Sequence, residues 1–213
     1  MSGLLESFER VLVLCAHTDD EFGCAGTISR LIGGGATVRY LALSRCEESV
    51  PPGFAVDVLE DECHKCTALL GIAPECVDVG PFRVRHFPAA RQEILEHFVM
   101  LRRQFSPDLV LLPSSYDTHQ DHATVFAEGF RAFKSSSILG YELPQNLISF
   151  ENSAFVRLTE EHLRNKISAL AAYRSQEFRD YASESFIRSQ ALVRGVQCGA
   201  GLAEAFEVIR LFA

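Results

Sequence analysis

Positive charge is scarce in this chain. Its 20 lysines and arginines are set against 28 aspartates and glutamates, a formal net charge of −8. That argues against non-specific binding to DNA, RNA or an anionic membrane, since each needs an electropositive surface. A small anionic ligand stays open, because two or three local arginines hold a phosphate whatever the net charge. Long apolar runs are missing too: none approaches the ~20 residues that span a bilayer. The opening MSGLLESFERVLVLC lacks both the basic start and the small-residue cleavage site of a secretory signal. The expected protein is soluble and cytoplasmic, with no nucleic-acid partner and no membrane insertion; a homo-oligomer remains open. Internal repeats, low-complexity stretches and linkers are also absent, and residues 1–213 read as one domain.

Cysteine pairing is another absence. The seven cysteines are odd in number and scattered, the pattern of reduced thiols used as small apolar residues. Cys63 and Cys66 form a lone CxxC with no second pair, inside an expected helix, so core packing is their reading. A dinucleotide fingerprint is lacking as well. After the first apolar run comes His17-Thr18-Asp19-Asp20-Glu21 instead of GxGxxG, and its acids would repel a pyrophosphate.

What is present alternates. Val11–Ala16, Thr37–Leu43, Cys76–Val79 and Asp108–Pro113 read as buried strands. Between and after them helices are expected over Gly23–Ile32, Val56–Leu70, Pro88–Phe105 and Ala123–Phe133. The alternating segment 81–87 reads as a sheet edge or a site rim. Further strands are expected at Ile138–Leu143, Leu147–Leu158 and Glu204–Phe212, with helices over Glu160–Tyr173 and Tyr181–Val193. This is an α/β pattern: a three-layer Rossmann-like sandwich with a mostly parallel sheet, core order 3-2-1-4, and additional C-terminal strands and helices. In that order the first and fourth strands are neighbours at the topological switch point.

Two clusters sit at the carboxyl ends of those two strands: His17-Thr18-Asp19-Asp20-Glu21 and His119-Gln120-Asp121-His122. A lone histidine such as His64, His86, His97 or His162 is ordinary surface or core, and a lone Asp-Asp pair is usually a cap. Two dense clusters at adjacent strand ends are a different matter. His17, Asp20 and His122 make a two-imidazole, one-carboxylate set suited to Zn²⁺ with an open position, as in catalytic sites; Fe²⁺ is the alternative metal. Asp19 is placed to take a proton from the attacking water. His119 could ligate too, but fits better as a protonated stabiliser of an oxyanion. Asp121 would orient a neighbouring histidine. Glu21 reads as a first-turn helix carboxylate facing the helix dipole.

Ala16-His17-Thr18-Asp19-Asp20-Glu21 and the run Pro107 to His122 resemble the AHPDDE and HxDH motifs of the PIG-L/LmbE-like metal-dependent N-deacetylases. The likeness extends to Glu142-Leu143-Pro144, Arg174-Ser175-Gln176 and Glu204-Ala205-Phe206-Glu207-Val208, and so covers nearly the whole chain. The resemblance implies the same fold and removal of the acetyl group from an N-acetylglucosamine-type amino sugar, nucleotide- or carrier-linked. It carries the metal ligands onto His17, Asp20 and His122, the base onto Asp19 and the oxyanion stabiliser onto His119. There are departures. Thr18 stands where proline is usual, Cys46 where a Thr-x-Gly-Glu pattern has glycine, and Leu59 where an arginine often precedes the glutamate at position 62. Glu47 and Asp117 are the expected substrate contacts, and Arg45, Arg83 and Arg85 the candidates for meeting a phosphate. Two rival readings are an amidase acting on a larger amide conjugate and a non-catalytic metal- or sugar-binding module.

Overall fold

The computed structural model describes residues 4–212; Met1–Gly3, part of the signal-sequence reading, lie outside them, as does Ala213. Strand β1 (Arg10–Cys15) is apolar from Val11 onward, and each of those side chains is buried. Such a strand needs cover on both faces and partners on both edges. It has them: β2 (Thr37–Ala42) pairs parallel on one side and β4 (Leu109–Pro113) parallel on the other. Outside these lie β3 (Val77–Val79) and β5 (Ser137–Tyr141), so the core order is the expected 3-2-1-4. Then β7 (Leu202–Arg210) runs antiparallel beside β5, and β6 (Ala154–Leu158) antiparallel beside β7, completing the order β3-β2-β1-β4-β5-β7-β6.

The two-residue period of a strand sorts the core into two layers. Val11, Val13 and Cys15 pack with α1 (Ala25–Gly33), α2 (Val58–Leu69), α5 (Glu160–Leu170) and α6 (Glu184–Gln197). Leu12 and Leu14 pack with α3 (Arg91–Phe105) and α4 (Gln120–Ala132). Cys63 and Cys66 lie in the first of these layers, fully buried, as packing residues. No helix among the described residues is long and apolar enough to cross a membrane.

Several boundaries differ from the sequence reading, each for a local reason. Helix α4 starts at Gln120, three residues before the expected Ala123, because His119 caps it by accepting the Asp121 N–H. The His-Gln-Asp-His cluster is therefore a helix's first turn. Helix α1 starts at Ala25, and Asp20–Gly23 form a separate 3-10 turn. Of the expected strand Leu147–Leu158 only β6 is paired along its length, since Leu147 makes a single bridge to Asp117. Residues 81–87 are irregular and rim the site. Helix α6 starts at Glu184, capped by Ser183 and preceded by 3-10 turns at Arg174–Gln176 and Asp180–Ala182.

Strand β7 fastens both halves of the site. Its Glu204 accepts from Gly26 N (3.0 Å), Thr27 N (2.7 Å) and Thr27 Oγ1 (2.6 Å) at the start of α1, and Lys166 Nζ pairs with it at 2.7 Å. A carboxylate is favoured at a helix N-terminus, where N–H groups are unpartnered. Its Glu207 accepts from Ser114 Oγ (2.8 Å) and from Ser115 N (2.8 Å) and Oγ (2.6 Å), the loop leaving β4. Lys166 and Glu204 are both buried, and breaking such a pair costs about 3–5 kcal/mol. Lys166→Met should therefore lower the urea-derived unfolding free energy by about 3 kcal/mol, and the Lys166→Met/Glu204→Gln pair by less than the sum of the single losses. A loss of under about 1 kcal/mol from Lys166→Met contradicts this account.

Candidate functional site

β1 and β4 end side by side, and each hands the chain to one of the two clusters. The loop after β1 folds back tightly: the His17 N–H donates to Asp20 Oδ2 at 2.8 Å, which turns both side chains the same way. From across the sheet edge, the first turn of α4 brings in His122. Three donor atoms then form a triangle. His17 Nδ1 lies 3.0 Å from His122 Nε2, His122 Nε2 is 3.3 Å from Asp20 Oδ1, and Asp20 Oδ1 is 3.6 Å from His17 Nδ1. Tetrahedral zinc bonds of 2.0–2.2 Å place neighbouring ligand atoms about 3.4 Å apart, so the triangle has the dimensions of one face of such a site. A second combination is also compact: His17, His119 and His122 each offer a nitrogen within 4.8 Å of the others.

The far nitrogen of each imidazole in the first triangle meets a buried carboxylate. His17 Nε2 faces Asp121 Oδ2 at 3.2 Å, and His122 Nδ1 faces Asp117 Oδ2 at 2.7 Å. Metal-binding histidines are typically held this way, which fixes ring and tautomer. Asp121 is itself fixed by the backbone N–H groups of Arg85 (2.5 Å) and Phe87 (3.1 Å). Asp121 thereby links the first turn of α4 to His17 across the strand ends. Asp117, the expected substrate contact, is 6 % exposed, its Oδ1 accepting the His119 N–H at 2.8 Å and its Oδ2 facing His122 Nδ1 at 2.7 Å. Glu47 is exposed on a 3-10 turn and does not line the cavity; Cys46 and Ser49 of that turn do.

Electrostatics follow from this packing. Burial works against a charge on His122, but the carboxylates of Asp20 and Asp117 outweigh it and push its pKa up to about 10. Burial likewise opposes charge on Asp20, yet His122 and His17 hold it well below the usual carboxylate range. Asp19 moves the other way, raised by burial and by neighbouring Asp20 against the pull of His17 and Arg179. Its carboxylate caps nothing and accepts no hydrogen bond from another residue among those described. His119 is shifted down by burial and by the two other histidines. Its Nδ1 accepts the Asp121 N–H at 3.2 Å. That contact occupies Nδ1 and leaves Nε2 as the ring nitrogen without a hydrogen-bond partner among the described residues.

Glu21 has partners that the sequence reading did not name. It is fully buried, and its two oxygens take the hydroxyls of Tyr40 (2.8 Å) and Tyr173 (2.7 Å), both of which also reach the Thr18 carbonyl. Burial raises its pKa to about 7, against hydrogen bonds from Cys66 and the two tyrosines. It stands in the first turn of the 3-10 helix Asp20–Gly23, and its hydrogen bonds pin the loop from beneath.

The triangle opens onto a cavity of about 190 Å³. Asp19, Asp20, His17, His119 and His122 lie on its wall, together with groups the sequence reading missed: Asn146, Gln176, Arg179 and Tyr181. These come from segments with no metal-like signal. The Glu-Leu-Pro turn at 142–144 and the Arg-Ser-Gln run at 174–176 marked the neighbourhood.

A family model described as PIG-L: GlcNAc-PI de-N-acetylase matches residues 12–133, more than half the chain, and includes both clusters. The chain is 24% identical over 183 residues to the protein of Escherichia coli (strain K12) described as uncharacterized deacetylase YaiS, covering 82% of this chain and 97% of that one. Its fold is similar to N,N'-diacetylchitobiose deacetylase from Pyrococcus horikoshii (TM-score 0.79, 21% identity, 96% of this chain and 85% of that one). It is also similar to the conserved protein TT1542 from Thermus thermophilus (TM-score 0.81, 20% identity, 97% of each). The matched clusters and the shared sheet make this chain a member of the PIG-L family of de-N-acetylases.

Proposed function

We propose that this deacetylase acts on an N-acetylated amino sugar, and that His17, Asp20 and His122 hold a divalent cation, Zn²⁺ or Fe²⁺, for the reaction. The observation that carries the reading is the open triangle of donors with an unengaged carboxylate, Asp19, beside it on the cavity wall. A cation held there would supply Lewis-acid charge that polarises a carbonyl and acidifies water. Asp19 takes the proton of the attacking water, a task its raised pKa suits. His119 donates its Nε2 proton as a hydrogen bond to the oxygen that becomes negative when the amide carbon turns tetrahedral. The amine nitrogen must gain a proton before the C–N bond breaks, and Asp19 returns the one it took. Water and the acetamide become acetate and a free amine. A binding module has no use for Asp19, which is why catalysis is preferred. An amidase taking larger acyl groups is separated by measuring acetate.

Acetate release from N-acetylated sugars, assayed after chelation and stepwise return of Zn²⁺ or Fe²⁺, tests the reading; no turnover with either metal across free, phosphate-bearing and disaccharide substrates would refute it. Asp19→Asn should keep its metal yet lose about 10²–10⁴-fold in kcat, whereas a loss of only a few-fold removes Asp19 as base. Asp117→Asn should weaken metal binding by about 10–100-fold, read by competition with a chromogenic chelator. The proton on His122 sets the pH dependence. With its pKa raised to about 10, His122 in the metal-free protein carries a proton at neutral pH that a cation must displace. Metal affinity should therefore rise with pH, and calorimetry at pH 7 in two buffers should show proton release; uptake without release would contradict the assignment of His122.

A further inference from the structure

Two departures from the family pattern meet on one wall of the cavity. Cys46 stands where glycine is expected and Leu59 where arginine is expected, and both line the cavity. With Val84, which lines it too, they form a small apolar cluster of buried side chains, separate from the two core layers that cover the sheet. Its members come from three segments: the loop after β2, the first turn of α2 and the irregular run 81–87. A site whose other walls carry histidines, carboxylates and amides thus has one apolar side.

Cys46 holds its place on that side against the preference of its backbone. It has φ +60 and ψ 32, the left-handed region where a β-carbon is disfavoured and glycine is usual. Its N–H donates to Ser44 Oγ at 3.1 Å, its thiol reaches the Ser44 carbonyl at 3.7 Å, and its own carbonyl accepts the Ser49 N–H at 2.8 Å. Burial, followed by the Asp19 carboxylate, pushes the thiol up to about 12. At neutral pH the sulfur is uncharged and acts by its bulk, since only a thiolate is a good nucleophile. An acetamido sugar has one apolar end, the acyl methyl, and one end rich in hydroxyls. Gln145, Asn146, Gln176 and Tyr181 line the cavity from other segments and can hydrogen-bond hydroxyls. Hydroxyls turned toward Cys46, Leu59 and Val84 would leave water with nothing in exchange. Matching polarity puts the methyl on the apolar side.

We propose that Cys46, Leu59 and Val84 form the wall against which the acyl group of the substrate lies, and that the side chain of Cys46 sets its depth, favouring acetyl over longer acyl chains. This rests on the deacetylase reading. In a cavity of about 190 Å³ a single methylene is felt, because a hydrophobic pocket discriminates one methylene by roughly 10–200-fold. A glycine at position 46 would lack both the β-carbon and the sulfur, and the wall would be deeper by that amount.

The test compares N-acetyl-, N-propionyl- and N-butyrylglucosamine, followed by the free amine that all three release. In the wild type kcat/KM should fall about tenfold or more from acetyl to propionyl. Cys46→Gly, which the backbone at position 46 accepts readily, should raise the propionyl-to-acetyl ratio about tenfold. Cys46→Ser, close to cysteine in size, should keep the wild-type ratio, and Leu59→Ala should raise the butyryl-to-acetyl ratio. A wild type that takes propionyl as well as acetyl overturns the proposal. So does a Cys46→Gly variant with an unchanged ratio, or a Cys46→Ser variant that shifts it as far as glycine does. Binding is read apart from turnover, by NMR titration in an Asp19→Asn background. There Cys46→Gly should strengthen binding of N-butyrylglucosamine about tenfold relative to N-acetylglucosamine, and butyryl affinity that does not rise overturns the proposal. A Cys46-dependent shift in binding with no amine released from any substrate by the protein with Asp19 intact would instead count against the deacetylase reading alone.

Discussion

The site exists because β1 and β4 are hydrogen-bonded neighbours whose chain segments are far apart in sequence. Val11, Leu12 and Val13 pair with Leu109, Val110 and Leu111, and the register places the end of one strand against the end of the other. Everything chemical follows from that. His17 meets His122 at 3.0 Å, and Asp121 reaches back from α4 to His17 at 3.2 Å. A parallel pair also needs cover on both faces, and these strands have it from α1, α2, α5 and α6 on one side and α3 and α4 on the other. The hydrophobic core thus fixes the distance between two groups of polar residues that would otherwise resist being buried together.

That burial is costly, and the arrangement shows how the cost is met. Carboxylates taken from water need partners of opposite charge or several hydrogen bonds. Asp20, Asp117 and Asp121 each have an imidazole partner or backbone N–H donors, and Glu21 has two tyrosine hydroxyls. Asp19 is the exception: no other described residue donates a hydrogen bond to its side chain, and burial and neighbouring Asp20 raise its pKa. The closing strand contributes again at this level. Glu204 fastens the start of α1 and Glu207 the loop before α4, so the two segments that carry the donors are tied to one piece of sheet.

Much of this could be read from the sequence, and the parts that could not have physical causes. Strands such as Val11–Cys15 and Leu109–Pro113 announce themselves because a doubly covered strand must be apolar throughout. Metal-like clusters stand out because His and Asp seldom gather by accident behind such strands. The exact first turn of α4 was not readable, since a histidine cap that accepts through Nδ1 leaves no Ser, Thr or Asp signal. The partners of Asp117 were not readable either, because spacing does not tell which way a loop carboxylate turns. The partners of Glu21 were hidden because Tyr40 and Tyr173 come from β2 and from the segment after α5. Arg179 was silent for the same reason: its partner Gln176 and its neighbour Asp19 are brought to it only by the fold.

The central claim is that the cation is held by two imidazoles and one carboxylate, with His119 kept for the substrate. Anomalous scattering and bond lengths from crystals of the metal-loaded protein test it directly. The account predicts one metal bonded to His17 Nδ1, Asp20 and His122 Nε2 at about 2.0–2.2 Å, with the His119 ring outside bonding distance. A metal held by His17, His119 and His122, with Asp20 turned away, would contradict it.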